Sequence, residues 1–230
     1  EIFPDRTDLL SHETISRAAR AFLNSLNDSP NLDIKQGEIT LEVDKSLQNL
    51  RPVILGAVVR GVDNGTNYRE KDDFIQSLMD HQEKLHLTLG RKRKFASIGV
   101  HDLSQLSPPF KVISVDKKYK FTPLAEEKEM SIEDILKSHP KGKEYAHLMS
   151  ELKEYPVIID AEDRVLSFPP IINGDHTTVN EQTRDFFIDV TGWDERSCEA
   201  CLLLICLSLA ERGGVIESIQ IKNWDQELLN

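Results

Sequence analysis

The apolar stretch PVILGAVVRGV at residues 52–62 decides the expected fold, because a nearly continuous run of β-branched residues is typical of a buried β-strand. The stretch RDFFIDVT at residues 184–191 is also predicted to be a strand. Further strands are predicted at 39–43, 95–101, 110–115, 155–160, 164–168 and 215–222. Turns and helical patterns both connect these strands, so we predict an α+β domain built on a mixed sheet.

Apolar residues at helical spacing occupy much of the chain between the strands. Helices are predicted at 12–26, about 70–89, 131–138, 143–153 and 195–211. Ser11 can cap the first of these helices and Asp194 the last, because short polar side chains accept hydrogen bonds from the first turn. The polar run SLNDSPN at 25–31 interrupts the pattern after the first helix and is predicted to be a linker.

The composition is that of a folded domain in a reducing compartment. The chain has 230 residues, 39% hydrophobic and 29% charged, which excludes a disordered or fibrous protein. No apolar run reaches the roughly 18 residues of a membrane span. The N-terminal residues lack the features of a signal peptide and do not begin with Met. We therefore expect the sequence to be an excerpt of a longer chain. Three cysteines clustered at 198–206 favour a cytoplasmic protein over a disulfide framework.

The run Arg91-Lys92-Arg93-Lys94 stands out in a chain whose formal net charge is −11. Four cations that follow a helix can complement its macrodipole and be otherwise solvated. They can equally contact a polyanion, because Arg and Lys side chains position phosphate groups. The residues alone leave both interpretations open.

Polar side chains also interrupt the apolar segments of the C-terminal half. Asp189 and Thr191 lie two residues apart in a strand and therefore share a face, which is either solvated or part of a site. The stretch LSFPPIINGDHT at 166–177 is a turn-rich loop suited to wall a pocket. Ser167, His176 and Asp189 are the residue types of a hydrolase triad. Because Ser167 does not lie in a G-x-S-x-G elbow, we do not favour a covalent triad.

No metal site is predicted from the histidines and cysteines. His81 and His86 are five residues apart, which places them on different helix faces, and both are predicted to be partly exposed. The C-x-x-C formed by Cys198 and Cys201 has no second pair at zinc-finger spacing. The remaining histidines without a carboxylate or cysteine at ligand spacing are predicted to be structural, namely His12, His101, His139 and His147.

Several long motifs taken together define a resemblance to a known family. They are EIFPDRTDLLSHETISRAARAFL (1–23), RPVILGAVVRG (51–61), FIQSLMDHQEKLHLTLGRKRKFASIGVHDL (74–103), HPKGKEYAHLM (139–149), VLSFPPIINGDHT (165–177) and FFIDVTG (186–192). In this order they resemble the β subunit of phenylalanyl-tRNA synthetases of the archaeal and eukaryotic type. The motifs cover most of the chain and are far more specific together than any single pattern.

The resemblance implies a β/β/α layered editing domain at 32–230, preceded at 1–31 by a helical segment of a neighbouring small domain and a linker. It implies hydrolysis of tyrosine mistakenly esterified to tRNA(Phe), carried out by a positioned water without a protein nucleophile. A second site of this kind is needed because a pocket shaped for phenylalanine rejects the extra hydroxyl of tyrosine only modestly. The alternative is a non-catalytic module that positions tRNA or a partner subunit.

The resemblance also assigns residues and partners. The expected catalytic residues are Ser167, His176, Asp189 and Thr191. The expected substrate-binding residues are Gln82, Ile158 and Asn173. The expected RNA-binding residues are Arg91, Lys92, Arg93 and Lys94. The expected partners are tRNA(Phe) and a synthetase α subunit in an α2β2 assembly, without DNA or a membrane, and the fragment itself needs no cofactor. ATP and Mg²⁺ are expected to serve the full enzyme, which ligates phenylalanine to tRNA(Phe).

Overall fold

A computed structural model describes residue 2 and residues 5–23, 32–224 and 228–229. The predicted linker at 25–31 lies outside the described residues. Among the described residues, a ten-stranded mixed sheet and five α-helices confirm the predicted α+β class. None of the described helices is both long enough and apolar enough to cross a lipid bilayer.

All the strands predicted from apolar runs are present. Their bounds are β1 Ile34–Val43, β2 Val53–Arg60, β3 Ala96–Asp102, β4 Phe110–Val115, β7 Tyr155–Ile159, β8 Val165–Phe168, β10 Phe186–Gly192 and β11 Val215–Lys222. Two-residue strands add β5 Lys120–Phe121, β6 Met130–Ser131, β9 Ile172–Asn173 and β12 Leu228–Leu229. Strand β1 begins five residues before the alternating pattern, because Ile34 pairs in parallel with Ile216 of β11 ahead of a register shift.

The large sheet runs in the order β3-β10-β2-β11-β1-β4-β7-β8-β9, with β12 beside β11. Strand β1 is parallel to both β11 and β4, and the other pairs are antiparallel. The sheet curves so far that its two end strands approach each other. Asn173 of β9 donates from Nδ2 to the Val100 carbonyl of β3 at 3.4 Å. This closure brings together segments that lie far apart in the sequence.

The helices are α1 His12–Phe22, α2 Tyr68–Leu87, α3 Ile132–Ser138, α4 Pro140–Tyr145 and α5 Glu195–Ala210. The predicted helix at 143–153 was misplaced: α4 begins at Pro140, whose fixed φ suits a first helical turn, and His139 caps it by accepting from the Lys141 backbone N–H. The α2 and α5 helices pack on the sheet over a core that includes Phe74, Ile188 and Ile205.

The α1 helix packs against α5. Arg17 and Arg20 both pair with Glu211, and Arg212 pairs with Glu13 at 2.7 Å. The proposed division between a segment at 1–31 and a domain at 32–230 stays a prediction.

Candidate functional site

A cleft of about 370 Å³ lies where the two ends of the sheet meet, under α2. Gln82 of α2, Asp189 of β10, Ser167 of β8 and Asn173 of β9 line it. Its apolar wall includes Met79, Ile98, Val100, Phe168 and Ile172. Four of the seven side chains that were expected to be catalytic or substrate-binding therefore converge in one cavity, although they come from four different elements.

Two side chains of α2 bind the outer edge of β3. Gln82 donates from Nε2 to the Ile98 carbonyl at 2.7 Å, and His86 accepts from the Ile98 N–H at Nε2, at 2.8 Å. Together they replace the neighbouring strand that β3 lacks on this side. The prediction that His81 and His86 are partly exposed is wrong, because α2 lies directly on the sheet and each is 1% exposed.

Asp189 is a buried carboxylate, 2% exposed, at the inner wall of the cleft. Its Oδ2 lies 2.6 Å from Nε2 of His101, and Nδ1 of His101 lies 2.9 Å from the Thr177 hydroxyl. Gly99 faces Asp189 in the β3–β10 pairing. A Cβ on Gly99 would lie 2.0 Å from Asp189 Oδ2 and 2.6 Å from His101 Nε2, so only glycine leaves room for this contact.

Ser167 brings a hydroxyl without a partner into the same cleft. Its Oγ is buried and makes no hydrogen bond with any described residue, and Nε2 of His176 is buried and unpartnered as well. Burial, followed by the charge of Arg164, lowers the pKa of His176. His176 does not belong to the cleft wall. Among the described residues, no base is therefore bonded to Ser167 as a triad would require.

Thr191 and Ile158 do not line the cleft. Thr191 Oγ1 accepts from Nε of Arg51 at 2.7 Å, behind the cleft wall. Ile158 is fully buried in a hydrophobic cluster with Phe110 and Phe187, next to a register shift between β7 and β8. Both residues thus support the site from behind, where the sequence motif had suggested direct contact.

Arg93 differs from the other three cations of its run. It is 7% exposed and donates to the carbonyls of Pro170 and Ile171 at 3.1 and 2.9 Å. Its guanidinium lies 4.5 Å from the Tyr145 ring centroid and 2.5 Å from Glu83. The hydrogen bond with His86, and then the charges of Arg93 and Lys141, lower the pKa of Glu83 to about 2 against the effect of burial. Arg93 therefore lines the cleft.

The segment 91–94, which we call the basic turn, has an unusual backbone. Arg91, Lys92 and Arg93 have φ angles of 49°, 55° and 64°, a left-handed conformation that is unfavourable for side chains other than glycine. Surrounding contacts must hold such a turn, and the buried Arg93 side chain supplies them. Arg91, Lys92 and Lys94 are exposed, and none of them is ion-paired with a described carboxylate.

Sequence reasoning missed His101, Gly99 and Arg51. The alternation in FASIGVH does place Gly99 and His101 on one face of β3. That this face meets Asp189 depends on the pairing of β3 with β10, for which the sequence holds no local signal. No group of three or more potential metal ligands occurs among the described residues.

Comparison with known proteins identifies the family to which this fold belongs. Residues 50–201 match the model of the B3/4 domain, and the chain belongs to that family. It is similar to phenylalanine–tRNA ligase β subunits: 48% identical over 221 residues to that of Methanosarcina acetivorans, and 45% to that of Archaeoglobus fulgidus. Each alignment covers 96% of this chain and 39% of the relative. The chain thus spans about two fifths of the length of these relatives.

A solved structure is similar throughout. The N-terminal fragment of the phenylalanyl-tRNA synthetase β subunit from Pyrococcus horikoshii superimposes with a TM-score of 0.92 at 36% identity, over 98% of this chain and 63% of that one. The predicted resemblance to the β subunit of an aminoacyl-tRNA synthetase is confirmed.

Proposed function

We propose that this domain hydrolyses tyrosine mistakenly esterified to tRNA(Phe). The observation that carries the proposal is the buried Asp189 carboxylate at the wall of an otherwise largely apolar cleft. His101 occupies Oδ2, whereas no described residue donates a hydrogen bond to Oδ1. A ligand that enters the cleft can therefore meet a carboxylate oxygen as its acceptor.

A buried carboxylate distinguishes tyrosine from phenylalanine by hydrogen bonding. The phenol O–H of tyrosine can donate to Asp189, and a hydrogen bond to a charged acceptor contributes about 1.5–3 kcal/mol. A phenylalanine ring would leave Oδ1 of the same carboxylate without a donor. The site thus favours the mistaken residue, whereas the synthetic pocket favours the correct one.

The size of the cleft suits one amino acid. Its volume of about 370 Å³ lies within the range of about 300–1,000 Å³ that is typical of ligand pockets. Ile98, Val100 and Phe168 offer apolar surface for an aromatic ring. The terminal ribose and adenine would then lie towards the opening.

The chemistry proposed is attack of a water oxygen on the ester carbonyl. The bond between the carbonyl carbon and the ribose oxygen breaks, the ribose oxygen takes up a proton, and free tyrosine and uncharged tRNA are released. Ser167 Oγ, buried without a partner, can donate to the carbonyl oxygen as negative charge develops on it. The absence of a hydrogen-bonded base on Ser167 among the described residues favours water over serine as the nucleophile.

The rest of the tRNA would be engaged outside the cleft. Arg93 connects the basic turn to the cleft wall through the Ile171 carbonyl. We therefore expect the three exposed cations to lie near the opening. They can contact phosphates of the acceptor end. We also propose that the domain works within a full enzyme with an α subunit in an α2β2 assembly. ATP and Mg²⁺ would act there in aminoacylation, since ester hydrolysis consumes neither.

The test is hydrolysis of Tyr-tRNA(Phe) and Phe-tRNA(Phe) by the intact ligase that contains this domain. Asp189→Asn keeps the shape and removes the charged acceptor, and we expect hydrolysis of Tyr-tRNA(Phe) to fall by about 10-fold or more. Ser167→Ala should lower the rate only about 2- to 12-fold, because it removes one neutral hydrogen bond. Asp163→Asn is the control, since Asp163 is exposed and asparagine tolerates its positive φ.

Unchanged discrimination in Asp189→Asn would refute recognition of the phenol by this carboxylate. Failure of the wild-type enzyme to hydrolyse Tyr-tRNA(Phe) would instead support a module that only positions tRNA or the partner subunit. A tyrosyl ester trapped on Ser167 would refute the water mechanism.

A further inference from the structure

We propose that His101 is a positioning residue for this hydrolysis. It carries its proton on Nε2, donates it to Asp189 Oδ2, and so holds the carboxylate with Oδ1 towards the substrate. The Thr177 hydroxyl contacts the other ring nitrogen, Nδ1, and helps to hold the ring. This inference rests on the proposed function for its kinetic consequence, whereas the tautomer itself can be measured without substrate.

The hydrogen-bond partners of the two ring nitrogens of His101 show which nitrogen carries a proton. A neutral imidazole has one N–H donor and one acceptor nitrogen, and the partner of one nitrogen decides the role of the other. Thr177 has a single hydroxyl hydrogen, and its Oγ1 lies 2.9 Å from His101 Nδ1 and 3.0 Å from the Gly174 carbonyl. The hydroxyl donates its hydrogen to that carbonyl, which also accepts the Thr177 backbone N–H at 3.2 Å. The hydrogen on His101 Nε2 follows instead from Asp189, because a carboxylate can only accept.

The N–H of His101 Nε2 thus points at Asp189 Oδ2. The separation of 2.6 Å is short even for a hydrogen bond to a charged acceptor. Both partners are almost completely shielded from solvent, since His101 is 0% and Asp189 2% exposed. The imidazole is therefore the donor to Oδ2 in this shielded position.

Packing leaves the histidine ring little freedom to turn. The Phe187 ring stacks on it with centroids 5.9 Å apart and an interplanar angle of 27°. Gly99 lies so close that a methyl group there would overlap both Nε2 and Oδ2. Asp189 is thus oriented by a residue that is not part of the cleft lining.

Orientation matters because an unrestrained aspartate could turn both oxygens away from a ligand. A catalytic or binding group gains its effect only when neighbouring groups lock its geometry. Loss of the His101 donor should therefore weaken recognition of the tyrosine hydroxyl more than it weakens binding of tRNA. The distinguishing signature is a selective loss of preference for Tyr-tRNA(Phe) over Phe-tRNA(Phe).

The first experiment measures the tautomer in the 230-residue chain labelled with ¹⁵N-histidine. A fragment of a related β subunit with this fold has been crystallised by itself, so the region is suited to separate study. We expect His101 to show a protonated Nε2. A proton on Nδ1 alone, with Nε2 unprotonated, would overturn the proposal.

The second experiment uses variants of the intact ligase. Thr177→Val removes the hydroxyl at constant shape, and His101→Leu removes the donor to Asp189. We expect the preference for Tyr-tRNA(Phe) to fall about 10-fold or more in His101→Leu and to recover partly in His101→Gln, whose amide N–H can replace Nε2–H. Thr177→Val should shift the ¹⁵N signals of His101 and lower the preference to a smaller extent. Thr40→Val is the matched control, because Thr40 lies in β1 and makes no side-chain hydrogen bond with a described residue.

The outcomes separate the two proposals. If the wild-type enzyme hydrolyses Tyr-tRNA(Phe) but His101→Leu keeps the full preference while remaining folded, the positioning role is refuted and the proposed function stands. If the wild-type enzyme does not hydrolyse Tyr-tRNA(Phe), the proposed function fails, while the ¹⁵N spectrum still decides the tautomer. Should His101→Leu not fold, Thr177→Val and its ¹⁵N spectrum decide the question.

Discussion

Replacing Arg51 with methionine tests how the inner wall of the cleft is held. Arg51 lies just before β2 and is 3% exposed. Its Nε donates to Thr191 Oγ1 at 2.7 Å, and its Nη2 donates to the carbonyls of Thr191 and Arg93 at 2.7 and 3.1 Å. Ser97 Oγ, 3.1 Å from Nη2, shares one of the two Nη2 hydrogens with these carbonyls. Methionine has a similar length, so the substitution removes the donors and leaves the acceptors buried.

Two opposing contributions set the expected magnitude. Three N–H groups of a charged donor make these contacts, and at about 2 kcal/mol each they stabilise the fold by about 6 kcal/mol. Burial lowers the pKa of Arg51 to about 10. This decrease from the ordinary pKa means that burying the charged group costs about 3 kcal/mol, at about 1.4 kcal/mol for each tenfold change in the ionisation constant. We therefore expect Arg51→Met to lower the free energy of unfolding by about 3 kcal/mol, the usual result of removing one partner from a buried charged contact.

The assay is urea unfolding of the 230-residue chain followed by far-ultraviolet circular dichroism. Arg60→Met is the control, because Arg60 pairs with Glu217 at 3.0 Å in a half-exposed position, where an ion pair contributes about 0–1 kcal/mol. Arg51→Lys should have an intermediate effect, since lysine keeps the charge and loses the planar fork. If Arg51→Met and Arg60→Met destabilise the chain equally, the reasoning about the buried network is refuted.

Two further predictions concern charge. Changing the three exposed cations of the basic turn to alanine should weaken tRNA binding by the intact ligase and reduce the slope of log K against log salt by about 2–3, at about 0.7–0.9 for each phosphate that is no longer neutralised; an unchanged slope would contradict it. The control variant replaces three exposed lysines elsewhere, Lys35, Lys45 and Lys153. His81 is buried without a hydrogen-bond partner among the described residues, and burial lowers its pKa to about 4. In the unfolded chain, His81 is protonated below about pH 6.5, whereas in the folded chain it is protonated only below about pH 4. The free energy of unfolding therefore falls as the pH falls through this window, by about 3 kcal/mol in total. Unfolding of His81→Leu between pH 7 and pH 4 should lack this loss, whereas the control His147→Gln should retain it; equal pH dependence in both variants would contradict the assignment.

Much of the fold could be predicted because its signals are local. The buried strand at 52–62 and the apolar helix at 195–211 are defined by the periodicity of their own residues. The short strand β9 has no such pattern and forms because β8 and the prolines before it turn the chain back. The approach of β9 to β3 is a property of the curvature of the whole sheet, which no segment encodes by itself.

The site could be predicted only as far as its motifs reach. The resemblance placed Gln82, Ser167, Asn173 and Asp189 in one pocket, and the structure brings these four together. It could not distinguish side chains that line the pocket from those that support it, because both occur in the same motif. Thr191 is two residues from Asp189 and on the same strand face, yet its hydroxyl is taken by Arg51.

The basic turn shows why side chains of one type, adjacent in sequence, can have different functions. Arg51 donates to the Arg93 carbonyl, and Arg93 in turn donates to the Pro170 and Ile171 carbonyls across the cleft. The buried guanidinium groups of Arg51 and Arg93 thus connect β10, which carries Asp189, to the loop between β8 and β9. They also hold the left-handed backbone of the basic turn in place. Because a backbone held in this way cannot relax independently, the exposed cations keep a fixed position relative to the carboxylate. The same contacts that bury Arg93 therefore set the geometry between the surface suited to phosphates and the cleft suited to an aromatic ester.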